Sequence, residues 1–236
     1  MKLCVLDNDL LDPAVAPIYI SYGAMFERLL RDAGAQATFD IFSARQGHYP
    51  VSFDDYDAVL LTGSRADSFS QEPWVVTLRL HVTQLLQVKK KLIGVCFGHQ
   101  LIALCMGAKV GRAPQGWGSE RMNYQWHAPQ LAGAQGCTEL SLLASHQDQV
   151  FELPSGATLL ASSAFCPVAA FMVDNAVFCV QAHPEFVADY SAYLLNKRRA
   201  LLGEALYAVG MNSLAQGHDG PQVARMMLAF IKGKGA

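Results

Sequence analysis

No C-x-x-C pair occurs in this chain, and Cys4, Cys96, Cys105, Cys137, Cys166 and Cys179 fall at irregular intervals. A disulfide framework or a zinc site is therefore not expected, and most of these thiols should act as small hydrophobes in a reducing cytoplasm. Nowhere do about 18 apolar residues run uninterrupted, which argues against a membrane span. The opening "MKLCVLDND" has too short an apolar run for a signal peptide and reads as a buried strand ending in acids. Charge is scarce as well, at 16% of residues with a formal net charge of -2. No polybasic surface is on offer to nucleic acid or to an anionic membrane. Repeats, low-complexity tracts and linkers are missing too.

What is present is a core-forming composition, 52% hydrophobic over 236 residues. Short β-rich runs alternate with amphipathic ones through the first half. The pattern predicts strands at 2–7, 36–42, 56–64 and 92–95, with helices at 18–34, closed by Gly34, and at 72–91, with Pro73 in the first turn. The three lysines ending that second helix can offset its dipole. This order implies an open, mostly parallel, flavodoxin-like α/β sheet with helices on both faces. Six strand-like runs between 108 and 182 then predict a smaller antiparallel extension, with "VDNAVF" (173–178) as a hairpin turn. Beyond it the chain turns helical, at roughly 187–208 and 221–232. We expect one domain over 1–236, with a helical C-terminal extension at 187–236.

The chemistry concentrates in "LIGVCFGHQ" (92–100). A strand that feeds directly into a helix forces a sharp turn, and Gly94 and Gly98 relieve the crowding around it. Cys96 then projects from the carboxyl edge of the sheet, at a helix N-terminus that favours a thiolate. The N–H of Phe97 can receive an oxyanion. "VFCVQAHPEF" (177–186) supplies a base: His183 ends a strand, Pro184 keeps it extended, and Glu185 two positions on can hold one ring nitrogen. His48, His81 and His218 read as isolated polar residues.

Gly94, Cys96, Gly98 and Gln100, with His183, Pro184 and Glu185, resemble the class I glutamine amidotransferase family and its Cys-His-Glu triad. "SHQDQVFELPSG" (145–156) is similar to a further stretch of that family. The resemblance implies attack of the cysteine on the side-chain amide of glutamine or another γ-glutamyl amide, with a γ-glutamyl thioester intermediate. It implies Gly63 or Ser64 as a second oxyanion donor, Gln100 as a substrate contact, and Ser145 and His146 lining the pocket floor. It implies no cofactor and no metal. Asp148 is expected to cap a short turn at "QVFEL".

Two departures stand out. "TGSRAD" (62–67) lacks the proline of the family's usual Gly-Gly-Pro turn, and about 50 residues follow the His-Pro-Glu motif. That tail, with "PWVVTLRLHV" (73–82) and "GWGSERM" (116–122), looks like the stand-alone, GMP-synthetase-like subgroup that includes γ-glutamyl peptidases acting on small γ-glutamyl compounds. Three functions follow: a self-contained γ-glutamyl hydrolase, a glutaminase subunit feeding ammonia to a synthetase partner, or a non-catalytic binding module. Under the first, "RADSFS" (65–70) and Trp117 are candidates for shaping the leaving side of the substrate.

Overall fold

The computed structural model describes residues 1–233. The chain runs β1 (Lys2–Asp7), α1 (Ala16–Tyr19), α2 (Tyr22–Asp32), β2 (Thr38–Ser43), β3 (Ala58–Leu61), α3 (Pro73–Gln87), β4 (Leu92–Val95) and α4 (Phe97–Cys105). It continues with β5 (Val110–Arg112), β6 (Arg121–Trp126), β7 (Glu139–Leu143), β8 (Asp148–Val150), β9 (Thr158–Ser162), β10 (Ala170–Val173), β11 (Val177–Val180), α5 (Ala188–Ser213) and α6 (Gly220–Ile231). Nine strands form a single sheet in the order β2-β1-β3-β4-β11-β10-β9-β6-β7. The first five pair in parallel and the remainder antiparallel, so the predicted extension continues the parallel sheet. β5 and β8 make a separate two-stranded ribbon.

The inner parallel strands β1, β3, β4 and β11 are buried on both faces, while β2 lies partly exposed at the sheet edge, and alternation along the inner strands divides them between two cores. Leu3, Val5, Ile93, Val95, Phe178 and Val180 pack with Phe26 and Leu30 of α2 and with Val223, Met227 and Phe230 of α6. Cys4, Leu6, Leu92, Val177 and Cys179 point the other way, onto Val75, Leu78 and Val82 of α3 and Leu101 and Ile102 of α4. Period-2 strands between period-3.6 helices need two such layers. The sequence-derived α/β class with helices on both faces is the observed one.

Several expectations change in detail. The helix expected at 18–34 is broken, because Ile20 has φ 64° and Ser21 starts α2 by accepting the Ala24 N–H at 3.1 Å. Gly34 closes it as predicted, in a Schellman turn with Ala35 N–H on the Leu30 carbonyl. The lysines at 89–91 lie past the end of α3. Lys91 instead caps a different helix, donating to the Phe230 and Ile231 carbonyls of α6 at 3.0 and 2.7 Å. Asp148 opens β8 rather than capping a turn, because the segment pairs with β5. His81 packs on Tyr49 and Phe53, and His218 accepts from the Gly220 N–H, so neither is isolated. The Asp174–Asn175 hairpin joins β10 to β11 as expected, with Asp174 at φ 44°. No helix among the described residues is long and apolar enough to cross a membrane.

Candidate active site

β4 and β11 run side by side in parallel, with Gly94 opposite Cys179 and Val95 opposite Val180. Both strands therefore end at the same sheet edge, and each delivers one group there. β4 delivers Cys96, which takes φ 52° and ψ -103° as the chain turns into α4. A non-glycine residue with positive φ is strained and persists only where its surroundings hold it. The holding is steric. A Cβ on Gly94 would lie 2.7 Å from the Gly98 carbonyl, and one on Gly98 would lie 2.5 Å from the Leu61 oxygen. Only glycines let the turn close this tightly between β3 and β4.

β11 delivers His183. Its N–H donates to the Leu143 carbonyl at 2.9 Å, tying the segment after β11 to the end of β7. Its Nδ1 donates to Glu185 Oε1 at 2.8 Å, and its ring stacks on Phe186 with centroids 3.8 Å apart. Both His183 and Glu185 are buried. The Cys96 side chain stands beside the imidazole, both lying against Gly63. Burial works against a charged ring, but the Glu185 carboxylate and the Cys96 sulfur outweigh it and hold the His183 pKa up at about 10.

Gly63 closes the third side. A Cβ there would meet His183 Cε1 at 2.8 Å and Cys96 Cβ at 3.6 Å, so its backbone lies against both. The Phe97 ring turns into the core beside Trp74, while its N–H heads α4 and has no intrahelical acceptor.

A cavity of about 230 Å³ opens at Cys96, and Ser64, Gln100, Ser145 and His146 all line it. Gln100 is not free to swing, since its Nε2 donates to the Asp148 carbonyl at 2.9 Å and to Gln181 Oε1 at 3.2 Å. Only its Oε1 is left for a ligand. Burial pulls the His146 pKa down to about 4, so this ring is neutral, with Nδ1 on the Asp148 carbonyl. Trp117, Arg65 and Asp67 also reach the cavity wall.

Sequence reasoning missed the cavity's other charged groups. Arg112 of β5 approaches Asp148 at 3.0 Å and Asp67 at 3.2 Å, and the 3.0 Å approach is a charge contact rather than an aligned hydrogen bond. Burial and the neighbouring Asp67 raise the Asp148 pKa to about 6, against the pull of Arg112. Arg198 of α5 lies over the Trp117 ring at 5.0 Å and donates to Ser145 Oγ. Neither arginine carries a local signal, because "VGRA" and "NKRRA" read as a strand end and a solvated helix face. Only the fold brings residues 67, 112, 148 and 198 to one cavity.

The family model for "Glutamine amidotransferase class-I" matches residues 15–197. Gamma-glutamyl peptidase 3 of Arabidopsis thaliana is 37% identical over 175 residues, covering 70% of each chain. A glutamine-hydrolyzing GMP synthase subunit of Saccharolobus solfataricus is 35% identical over 142 residues, which span 58% of this chain and 72% of that one. A glutamine amidotransferase structure from Thermotoga maritima superposes with a TM-score of 0.77 at 16% identity, covering 98% of this chain and 97% of its own, a likeness of fold. This chain belongs to the class I glutamine amidotransferase family.

Proposed function

We propose that the chain hydrolyses the γ-glutamyl amide bond of small γ-glutamyl compounds through a thioester on Cys96. The observation that carries this reading is the arrangement at the sheet edge. A strained cysteine stands beside a buried imidazole, both against Gly63, and Glu185 holds the ring's Nδ1 at 2.8 Å. Nucleophile, base and orienter are the three parts such chemistry needs.

The sulfur attacks the γ-carbonyl carbon. The oxyanion is received by the Phe97 N–H and by that of Gly63 or Ser64, each such donor being worth roughly 10²–10³ in rate. The tetrahedral adduct collapses as His183 passes its proton to the departing nitrogen, which leaves as an amine. His183 then takes a proton from water, the hydroxide adds to the thioester carbonyl, and the sulfur leaves with glutamate as product. Glu185 fixes the ring tautomer throughout. Gln100 Oε1 and the backbone of Ser145 and His146 hold the γ-glutamyl half. The requirement for a free thiol fits a reducing cytoplasm, and the six cysteines are unpaired. Of the extension expected at 187–236, residues 187–233 belong with the preceding part of the chain as one unit, a reading supported by the reach of Arg198 into the cavity, and residues 234–236 lie outside the described residues.

Likeness to gamma-glutamyl peptidase 3 supports a hydrolase acting alone. Likeness to a GMP synthase subunit supports a second reading, a glutaminase that passes ammonia to a synthetase partner. Turnover of the isolated protein on glutamine, glutathione and γ-glutamyl dipeptides, run beside Cys96→Ala, separates them. Cysteine-dependent release of glutamate, with a quenched γ-glutamyl adduct on Cys96 by mass spectrometry, is the expected result. Folded but inert protein would move the assignment to the partner-dependent glutaminase. Undiminished turnover by Cys96→Ala would refute both.

A further inference from the structure

Three guanidinium groups line the cavity at Cys96, and two of them are already neutralised. Arg65 grips Asp9 with both ends of its fork, at 2.9 and 3.0 Å. Arg112 is shared between Asp67 and Asp148. Arg198 differs. It donates to the neutral Ser145 hydroxyl and lies over the Trp117 ring, and among the described residues no carboxylate pairs with it. A partly buried cation without a counter-charge is costly to hold, and the residues that fix its position do not discharge it. Burial lowers the Arg198 pKa from its ordinary value, consistent with that cost.

We propose that Arg198 receives the carboxylate of the leaving amino acid, so that the preferred substrate is a γ-glutamyl amino acid, whose free carboxylate lies beside the scissile amide. The inference rests on the γ-glutamyl hydrolase reading and sharpens it. The planar fork, held against Trp117 and Ser145, is preorganised for bidentate binding of a carboxylate. In a γ-glutamyl amino acid that carboxylate sits one carbon from the departing nitrogen, so its distance from the thiol is short and nearly fixed. Arg198 and Cys96 line the same cavity. Ammonia release from glutamine gives Arg198 nothing to bind.

The test compares γ-glutamylglycine with its C-terminal amide, in kcat/KM for the wild type, Arg198→Met and Arg198→Lys. Binding of both compounds to Cys96→Ala and to Cys96→Ala/Arg198→Met is measured by calorimetry. The wild type should prefer the acid by tenfold or more, Arg198→Met should bring the ratio within threefold of unity, and Arg198→Lys should keep part of the preference. The same ratio should appear in the Cys96→Ala affinities and vanish in the double variant. Equal use of acid and amide by the wild type would overturn the proposal, as would parallel losses in Arg198→Met that preserve the ratio. Hydrolysis of both compounds without acid preference removes the role of Arg198 and leaves the hydrolase reading intact. Inert wild type with an Arg198-dependent acid preference in binding removes hydrolysis and keeps the site. Inert wild type without that preference removes both.

Discussion

Replacing Glu185 with Gln removes one negative charge from the His183 ring while keeping a side chain of the same shape. In the native protein burial disfavours the imidazolium, yet the Glu185 carboxylate at 2.8 Å and the Cys96 sulfur keep its pKa near 10. One opposite charge at such range moves a pKa by about 1–3 units, which is roughly 1 to 4 kcal/mol. Coulomb's law gives about 4 kcal/mol for charges 4 Å apart at an effective dielectric of about 20, near the top of that range. In Glu185→Gln the ring should therefore lose its proton about 1–3 pH units lower. The assay is an NMR titration of the His183 ring nitrogens, without substrate, in both proteins. Stability should follow with a defined sign. The folded pKa lies above the ordinary 6.5, so the imidazolium stabilises the fold fully below pH 6.5, and that contribution is lost as pH rises through about 10. Urea midpoints of the wild type should fall across this window, and the variant should complete its fall earlier. Coincident titrations of the two proteins would refute the charge argument.

Three further outcomes follow from particular contacts. Gly63→Ala places a methyl 2.8 Å from His183 Cε1; turnover should fall on the order of 10²-fold with little change in melting temperature, and near-native turnover would contradict the packing. Cys96→Gly and Cys96→Ala both remove the sulfur, but only glycine relieves the 52° φ; by chemical denaturation the glycine variant should be more stable by about 1 kcal/mol, and equal stabilities would mean the turn carries no strain. Lys91→Met deletes two hydrogen bonds to the end of α6 and should cost about 1 kcal/mol, read from the urea midpoint; no loss would show that water replaces the lysine there.

The parallel half of the fold was legible because it is written locally. "LIGV" sets β4 to the residue, and β11 appears in "AVFCVQA" because a strand buried on both faces is a continuous apolar run. Cys96, His183 and Glu185 were legible for a related reason: each sits where a run of one period stops. β8 was hidden because its three residues include two polar ones, and it is a strand only through β5. The break at Ile20 was hidden too, since Ser21 reads as a helix residue until its backbone is seen to cap. Arg112 and Arg198 were invisible for a deeper reason. A lone arginine is solvated by default, and only the packing of α5 beside the 113–119 loop takes Arg198 out of water.

The ladder between β4 and β11 has a mechanical consequence. Thiol and imidazole are each carried within three residues of a strand end, and those strands are locked in register over four successive pairs, Leu92 to Val177 through Val95 to Val180. Twisting or shearing of the sheet displaces both carriers together and leaves the gap between sulfur and ring almost untouched. Motions of the cavity wall, contributed by β5, β8 and α5, have no such common mount. Under the proposed hydrolase reading, the cavity wall can move while the thiol and the imidazole keep a constant spacing.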